Sequence, residues 1–511
     1  MAYTKPGIST QFLGAQNQFI IGPAARTVAI HATFPKGPDV PFLMSPATMG
    51  VYYGDPTSAA SVGHYGPYMS LYSQSQAQPQ TTGPIQFLVC RQNVVRGTLL
   101  IWDASSGVCF TLSAVGVYAG SASIYLQCAM TLANGAVTSI TFTDSRTNII
   151  VAPVLSDLTV GGAQDLSSNA KIVAAINATQ PLRSLATVAQ AVAGASLLVP
   201  ATFHLGVNPA VTVATSFAAG SDGKASAFSD AVGSGGLLDQ SLAFPTDYVT
   251  AAWDAATVAT TLLAHTSAAA AVNMFRKLYL GPAQGTAYST LAGSYATPFQ
   301  SSRMTILAHD ALTVTRHPVT GANWTWDGFV GAAALAGLKA SGEPEQSCIN
   351  MALNAFSSIG VAPNNTAQLS ESQKNVLAGN GLTVLEQLPT SNTITVREVL
   401  TTIPQQNTLT GQRNIYSNVT AQEEDDAVAD ALNRYLRPLV GRPGTTTSAT
   451  NMLIATAAQQ ALSSLSSTIA GNVAVTPYRD LTTGYIVCPV TYYRRDPVNN
   501  ITLTIANTTA A

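Results

Sequence analysis

Between Ser301 and His317 the chain carries a nucleophile, a base and an acid close together. Ser301 or Ser302 could attack a carbonyl, His309 or His317 could take the proton, and Asp310 could orient the ring. No Gly-x-Ser-x-Gly, His-Glu-x-x-His or Walker A pattern accompanies them, so the plainer expectation is structural histidines. Gly223-Lys224 is followed by Ala225 rather than by Ser or Thr, and the upstream glycine is misplaced for a phosphate cradle. Glu423, Glu424, Asp425 and Asp426 could attract a calcium ion, but they lack the alternating spacing and central glycine of a calcium loop. Trp324 and Trp326 beside Asn323 could stack on a sugar, although core packing is the simpler use. None of the five cysteines (Cys90, Cys109, Cys128, Cys348, Cys488) forms a Cys-x-x-Cys pair, so zinc and redox chemistry are not expected. Buried reduced thiols are the ordinary reading. An odd count leaves Cys90, Cys109, Cys128 and Cys488 as candidates for links between subunits. No enzyme activity, metal or cofactor follows from these residues.

The elements around them describe a different kind of protein. The 511 residues are enough for three or four domains. Charged residues make up 9%, against about 25% in ordinary soluble domains. With a net charge of −2 the surface repels its own copies weakly, which favours self-association. There is no basic stripe to suit nucleic acid and no apolar run long enough to span a bilayer. Met1 to Gly14 holds one lysine and no long apolar stretch, so no signal peptide is expected and synthesis is placed in the cytoplasm.

Residues 1–25 read as an extended arm with Ile8, Phe12, Phe19 and Ile21 as its apolar positions. Residues 26–56 give a buried strand at Thr27–Thr33, a Lys-Gly-Pro turn and a short strand at Pro41–Met44. Residues 57–84 are Ser-, Gln- and Gly-rich and read as a loop, and 57–160 as a whole as an inserted β-domain of alternating strands with turns such as Asn134-Gly135. Residues 161–375 mix alanine-rich helix windows (171–178, 185–195, 247–276) with short apolar strands such as Arg303–Ala308, and Gly328–Ala340 is a small-residue helix suited to close packing. Residues 376–511 form a C-terminal core domain ending in a strand with Ile501, Leu503 and Ile505 on one side. The fold class expected is a multidomain α/β (α+β) protein. Its mixed-sheet core comes from the N- and C-terminal segments, with an inserted small β-domain and an α/β domain.

Of 23 basic and 25 acidic residues, 19 lie between Glu371 and Asp496. A helix is expected over Gln422–Leu439. Thr420 and Glu423 have capping-box spacing, the four acids sit at the positive end of the helix dipole, and Arg434 and Arg437 sit near the negative end. The acids are expected at a solvated or partner-facing helix end. A second helix, Met452–Ala470, is expected to stop at Gly471-Asn472, and a strand is expected at Tyr485–Tyr493.

At both ends the chain resembles the tail sheath proteins of contractile phages, a family shared with pyocin and type VI secretion sheaths. The resemblance rests on TVAIHATFPKGPDVPFLMSPATMGVYYG (Thr27–Gly54), NGLTVLEQL and ITVREVLTTI within Asn380–Ile403, NRYLRPLV (Asn433–Val440) and YYRRDPVNNITLTI (Tyr492–Ile505). QFLVCRQ (Gln86–Gln92) and FTLSAVGVYAGSASIYLQ (Phe110–Gln127) are similar to the family's inserted β-region. A usual aromatic segment lacks its clear form, and Ala322–Ala340 stands in its place.

The resemblance implies a structural subunit of the virion tail. Copies would stack as hexameric rings around the tail tube and contract to drive the tube through the bacterial envelope. The implied partners are further copies, the tail tube protein, and baseplate and tail terminator proteins. No direct contact with nucleic acid and no membrane insertion are implied. The terminal segments would exchange strands with neighbouring subunits, and Glu423, Glu424, Asp425, Asp426, Arg434 and Arg437 are candidates to face the tube. A surface-layer or adhesin-like structural protein is the alternative, with a hydrolase behind it.

Overall fold

The computed structural model describes residues 26–75, 86–92, 94, 98–102, 108–114, 126–133, 136–144, 150, 154–167, 169–179, 186–190, 212–216, 228, 236–342, 347–360, 369–387, 393–406, 414–439, 447–465, 469–479 and 486–494. The arm positions Ile8, Phe12, Phe19 and Ile21 and the final-strand positions Ile501, Leu503 and Ile505 lie outside them.

The core is a six-stranded sheet made of β1 (Thr27–Ala32), β2 (Phe42–Met44), β3 (Gln86–Arg91), β4 (Tyr248–Ala251), β5 (Lys277–Leu280) and β6 (Met304–Ile306). Their order across the sheet is β6-β5-β4-β1-β3-β2. All neighbours are parallel except β2, which runs antiparallel to β3. Runs such as Thr-Val-Ala-Ile-His-Ala are buried along their whole length because both faces of the sheet are covered. Helix α1 (Gly66–Ser75) and helix α3 (Gly328–Ala340) cover the face of Val28, Ile30, Phe87 and Tyr248, while helix α2 (Ala255–Ala271) covers the face of Ala29, Leu88 and Val249.

Every residue of α3 is buried, as its Gly- and Ala-rich sequence predicts for a close-packed helix. A Cβ at Gly337 would stand 2.0 Å from the carbonyl oxygen of Ser73, so only glycine lets α1 and α3 approach this closely. Helix α1 corrects the expectation of a loop over 57–84. Tyr68, Met69 and Tyr72 are buried at one-turn spacing, which outweighs the loop-like composition around them.

The observed class is mixed α/β with a mixed-sheet core and several smaller sheets, as expected. The core sheet nevertheless takes its strands from 27–44, 86–91 and 248–306, so Gln86–Arg91 joins the core rather than the inserted β-region. Between β3 and β4 stand two small antiparallel sheets, one of 98–102, 108–114 and 186–190, the other of 126–133, 136–144, 155–156 and 212–216. Ala186–Gln190 is a strand where an alanine-rich helix was expected; pairing with Phe110–Ala114 overrides the alanine propensity. The C-terminal block adds a hairpin, Val384–Gln387 with Ile394–Glu398, whose Leu385, Ile394 and Val396 enter the core.

Candidate functional site

Helix α4 (Val419–Leu436) begins at Asn418, whose side chain accepts from Thr420 N at 3.0 Å. This corrects the Thr420–Glu423 capping box: Glu423 lies a full turn inside the helix, beyond reach of the cap. Glu423, Glu424 and Asp426 are buried, which also corrects their assignment to a partner-facing helix end. Glu423 and Asp426 turn inward onto a row of bases.

Four adjacent parallel strands place polar residues at their N-terminal ends. Arg26 precedes β1, Tyr248 and Lys277 open β4 and β5, and Arg303 precedes β6. Helix α4 lies along this edge. Glu423 accepts a hydrogen bond from Tyr248 Oη at 2.8 Å, pairs with Lys339 Nζ at 2.9 Å, and has Arg26 at 3.8 Å. Lys339 comes from the last turn of α3, so the acid helix also ties down the buried small-residue helix. Asp426 is held by both guanidinium nitrogens of Arg303, at 2.8 and 2.6 Å, and by Lys277 Nζ at 2.8 Å. Burial pushes the Asp426 carboxyl up, but Lys277 and Arg303 outweigh it and hold the group below its ordinary range. Gln422 Nε2 donates to Asp426 and accepts at Oε1 from Ser302, closing the network. Asp425, on the other flank, accepts from the hydroxyls of Tyr416 and Tyr492.

The second half of α4 carries a separate unit. Val428 and Leu462, the latter from helix α5 (Thr447–Ser463), are buried together, with Leu432, Leu465, Val475, Val490 and Tyr492 packed around them. Strands Ile469–Val475 and Val490–Arg494 pair antiparallel into a two-stranded sheet on this base, with no third strand among the described residues. Gly471-Asn472 lies in the first strand where the register shifts, not at a helix stop. Pro489 splits the expected strand Tyr485–Tyr493, so Ile486–Val487 pairs with Tyr478–Arg479 instead. Tyr478 and Tyr493 are exposed at 51% and 64%. A two-stranded sheet is marginal alone in water; among the described residues this one gains no further strand, and of the two exposed rings Tyr493 belongs to it and Tyr478 to the neighbouring pair.

The remaining expected residues fall into place individually. Arg434 and Arg437 are exposed, with Arg434 paired to Asp430 one turn away. Cys90 lies in the middle of the core sheet, fully buried, which corrects its candidacy as an inter-subunit thiol; burial pushes its pKa up to about 12. Cys488 is half-exposed beside the terminal sheet. The side chains of Cys109 and Cys128 lie outside the described residues. His309 Nε2 is spent on the backbone of Leu385, 2.8 Å from its nitrogen, while Ser302 is spent on Gln422. Trp326 is buried, with its indole nitrogen donating to Tyr72 Oη. Among the described residues no group of three or more His, Cys, Asp or Glu side chains could hold a metal ion, and no helix is long and apolar enough to cross a membrane.

Sequence reasoning missed the basic half of the network: Arg26, Lys277, Arg303 and Lys339. A usable signal was present. In a chain this poor in charge, Arg26, Lys277 and Arg303 stand directly before or at the start of apolar strands, and Lys339 is the one charge in a helix of small and apolar residues.

No family model matches the sequence, and no curated protein matches it. Solved structures do. The sheath tail protein of Listeria innocua aligns with 92% of this chain and 95% of its own, at 10% identity and a TM-score of 0.55. The sheath tail protein of Desulfitobacterium hafniense aligns with 93% of this chain and 98% of its own, at 9% identity and a TM-score of 0.52. Across nearly its whole length, the chain has the fold of the sheath tail proteins.

Proposed function

We propose that the protein is a structural subunit of a contractile tail sheath, part of a phage-like particle, and not an enzyme. The observation carrying this reading is the match of over nine-tenths of the chain to two sheath tail proteins, each itself covered almost completely. In this reading copies stack as six-membered rings around a tail tube, between a baseplate and a terminator, and contraction drives the tube through the host envelope. The terminal sheet supports it, because among the described residues it has two strands only, with Tyr493 exposed, which suits added strands. The proposed donors are the arm positions Ile8, Phe12, Phe19 and Ile21 and the final-strand positions Ile501, Leu503 and Ile505 of neighbouring copies. Arg434 and Arg437, exposed beyond the buried acids, remain the proposed tube-facing charges.

The energetics suit a lattice. An arm of about six residues forms roughly four to six hydrogen bonds, each contributing about 0.5–1.5 kcal/mol net. One arm is weak, and many arms acting together gain avidity. The extended state is then held by a barrier and needs no nucleotide. In each subunit the ion-paired edge keeps helix α4, and with it the terminal sheet, fixed to the core while contacts between cores change.

The test is truncation. Removing residues 1–21 or 501–511 is expected to leave a folded monomer by size exclusion but to abolish long tubes in negative stain. Undiminished tubes from either truncated chain refute strand exchange; flat lattices or small discrete oligomers from the full chain refute the sheath reading.

A further inference from the structure

Arg316 is exposed and, among the described residues, has no hydrogen bond or ion pair. It lines a pocket of about 250 Å³ whose apolar lining comes from Leu71 and Tyr72 of helix α1, Val314 at the end of strand Ala311–Val314, Pro318 and Ala355. Part of this lining is fixed by the core. Tyr72 and Val314 are buried, Trp326 Nε1 donates to the Tyr72 hydroxyl, and Phe356 packs on the Tyr72 ring. Small-molecule pockets enclose about 300–1,000 Å³. This smaller one suits a single apolar side chain, with a carboxylate beside it to meet the guanidinium.

The chain itself carries that pair of groups. The short helix Met49–Tyr52 turns Met49 into the core, and Tyr53 after it is also buried, while Val51 points outward at 69% exposure. Beyond Tyr53 the chain doubles back. A Cβ on Gly50 would stand 3.6 Å from Asp55 Cα, which places Asp55 against the helix beside Val51. Asp55 is exposed. One of its oxygens accepts from Thr57 N and Oγ1 at 2.8 and 2.7 Å, and these bonds hold the carboxyl below its ordinary range. The other has no hydrogen bond among the described residues, with Lys36 contributing its field. Asp55 and Arg316 do not pair within the chain.

We propose that Val51 of one copy seats in the pocket of another copy, where Asp55 pairs with Arg316. The occupant is a second copy of this chain because the free charges are opposite and each stands beside the apolar group that the other side needs. The knob and the pocket are different patches, so the contact is heterologous: each copy gives one knob and receives one, and repetition builds rings or helices instead of stopping at a dimer. The apolar seat supplies the affinity. An exposed ion pair adds little of its own but fixes the register and rejects wrong contacts. This contact rests on the sheath reading for its supply of copies, and it is separate from strand exchange.

The experiment uses the full chain with Arg316→Glu and Asp55→Lys, separately and together. Each single variant is expected to fold, since both sites are exposed, and to raise the concentration needed for tubes in pelleting and negative stain by at least about threefold. The double variant is expected to recover most of that loss, which a folding defect would not do. A photoreactive benzophenone amino acid in place of Val51 gives a second readout. Assembled from isotopically heavy and light copies, it is expected to join heavy to light peptides that contain Leu71–Tyr72 or Val314–Pro318. Single variants that assemble at the parent's concentration, a double variant no better than the singles, or cross-links confined to one protomer or to other surfaces overturn the proposal. A parent chain that stays monomeric overturns the sheath reading with it, whereas tubes indifferent to the variants overturn this contact alone.

Discussion

Replacing Lys339 with methionine tests whether the ionic edge holds helix α4 to the core. The Lys339 and Glu423 side chains are each 1% exposed, and their charges stand 2.9 Å apart. At an effective dielectric of about 20, unit charges at that separation attract by about 6 kcal/mol. Desolvation of both ions cancels much of this, so the intact pair adds little net stability. The truncated pair behaves differently. Lys339→Met leaves the Glu423 carboxyl buried without its nearest cation, with Tyr248 Oη as its close donor and Arg26 at 3.8 Å. The expected loss is about 3–5 kcal/mol. Glu423→Gln keeps an acceptor for Tyr248 and removes the carboxylate charge beside the lysine instead. The double variant removes both charges and should be more stable than Lys339→Met alone. The assay is urea unfolding of the monomer followed by far-UV circular dichroism, with the four proteins treated as a double-mutant cycle. Losses that add without coupling, or a Lys339→Met protein within about 0.5 kcal/mol of the parent, would refute the reasoning.

His31, His265 and His309 are buried, which depresses their pKa values to about 3, 4 and 4, while the unfolded chain titrates near 6.5. The unfolded state therefore binds more protons in that window, and stability should decline as pH falls from about 6.5 towards about 4. Depression of Asp426 adds a further loss below about pH 4; a urea midpoint constant from pH 7 to 4.5 would contradict the histidine assignment. Gly337→Ala puts a methyl 2.0 Å from the Ser73 carbonyl and should cost about 1–3 kcal/mol despite better helix propensity, read as a lower melting temperature. In the native monomer a thiol reagent should label Cys488 and spare Cys90 and Cys348 until unfolding, as checked by peptide mass mapping.

Periodicity and composition made much of this protein legible from its sequence. The buried strand at Thr27–Ala32, the close-packed helix Gly328–Ala340 and the strand at Met304–Ile306 all announce themselves through local apolar or small-residue patterns, because burial on both faces leaves no room for polar residues. The motif order at both ends pointed to the fold that the sheath tail proteins share with this chain. What the sequence could not supply was the partner of each charge. Glu423, Glu424 and Asp426 look like a solvated helix start when read alone, since carboxylates at that position normally seek water and the helix dipole. Only the tertiary structure brings Lys277, Arg303 and Lys339, which lie between 84 and 149 residues away in the chain, to the same sheet edge. Helix α1 escaped notice for the same reason: its burial comes from α3, more than two hundred residues further on. Local pattern determines which segments become strands and helices; long-range contact decides which of their charges are turned inward.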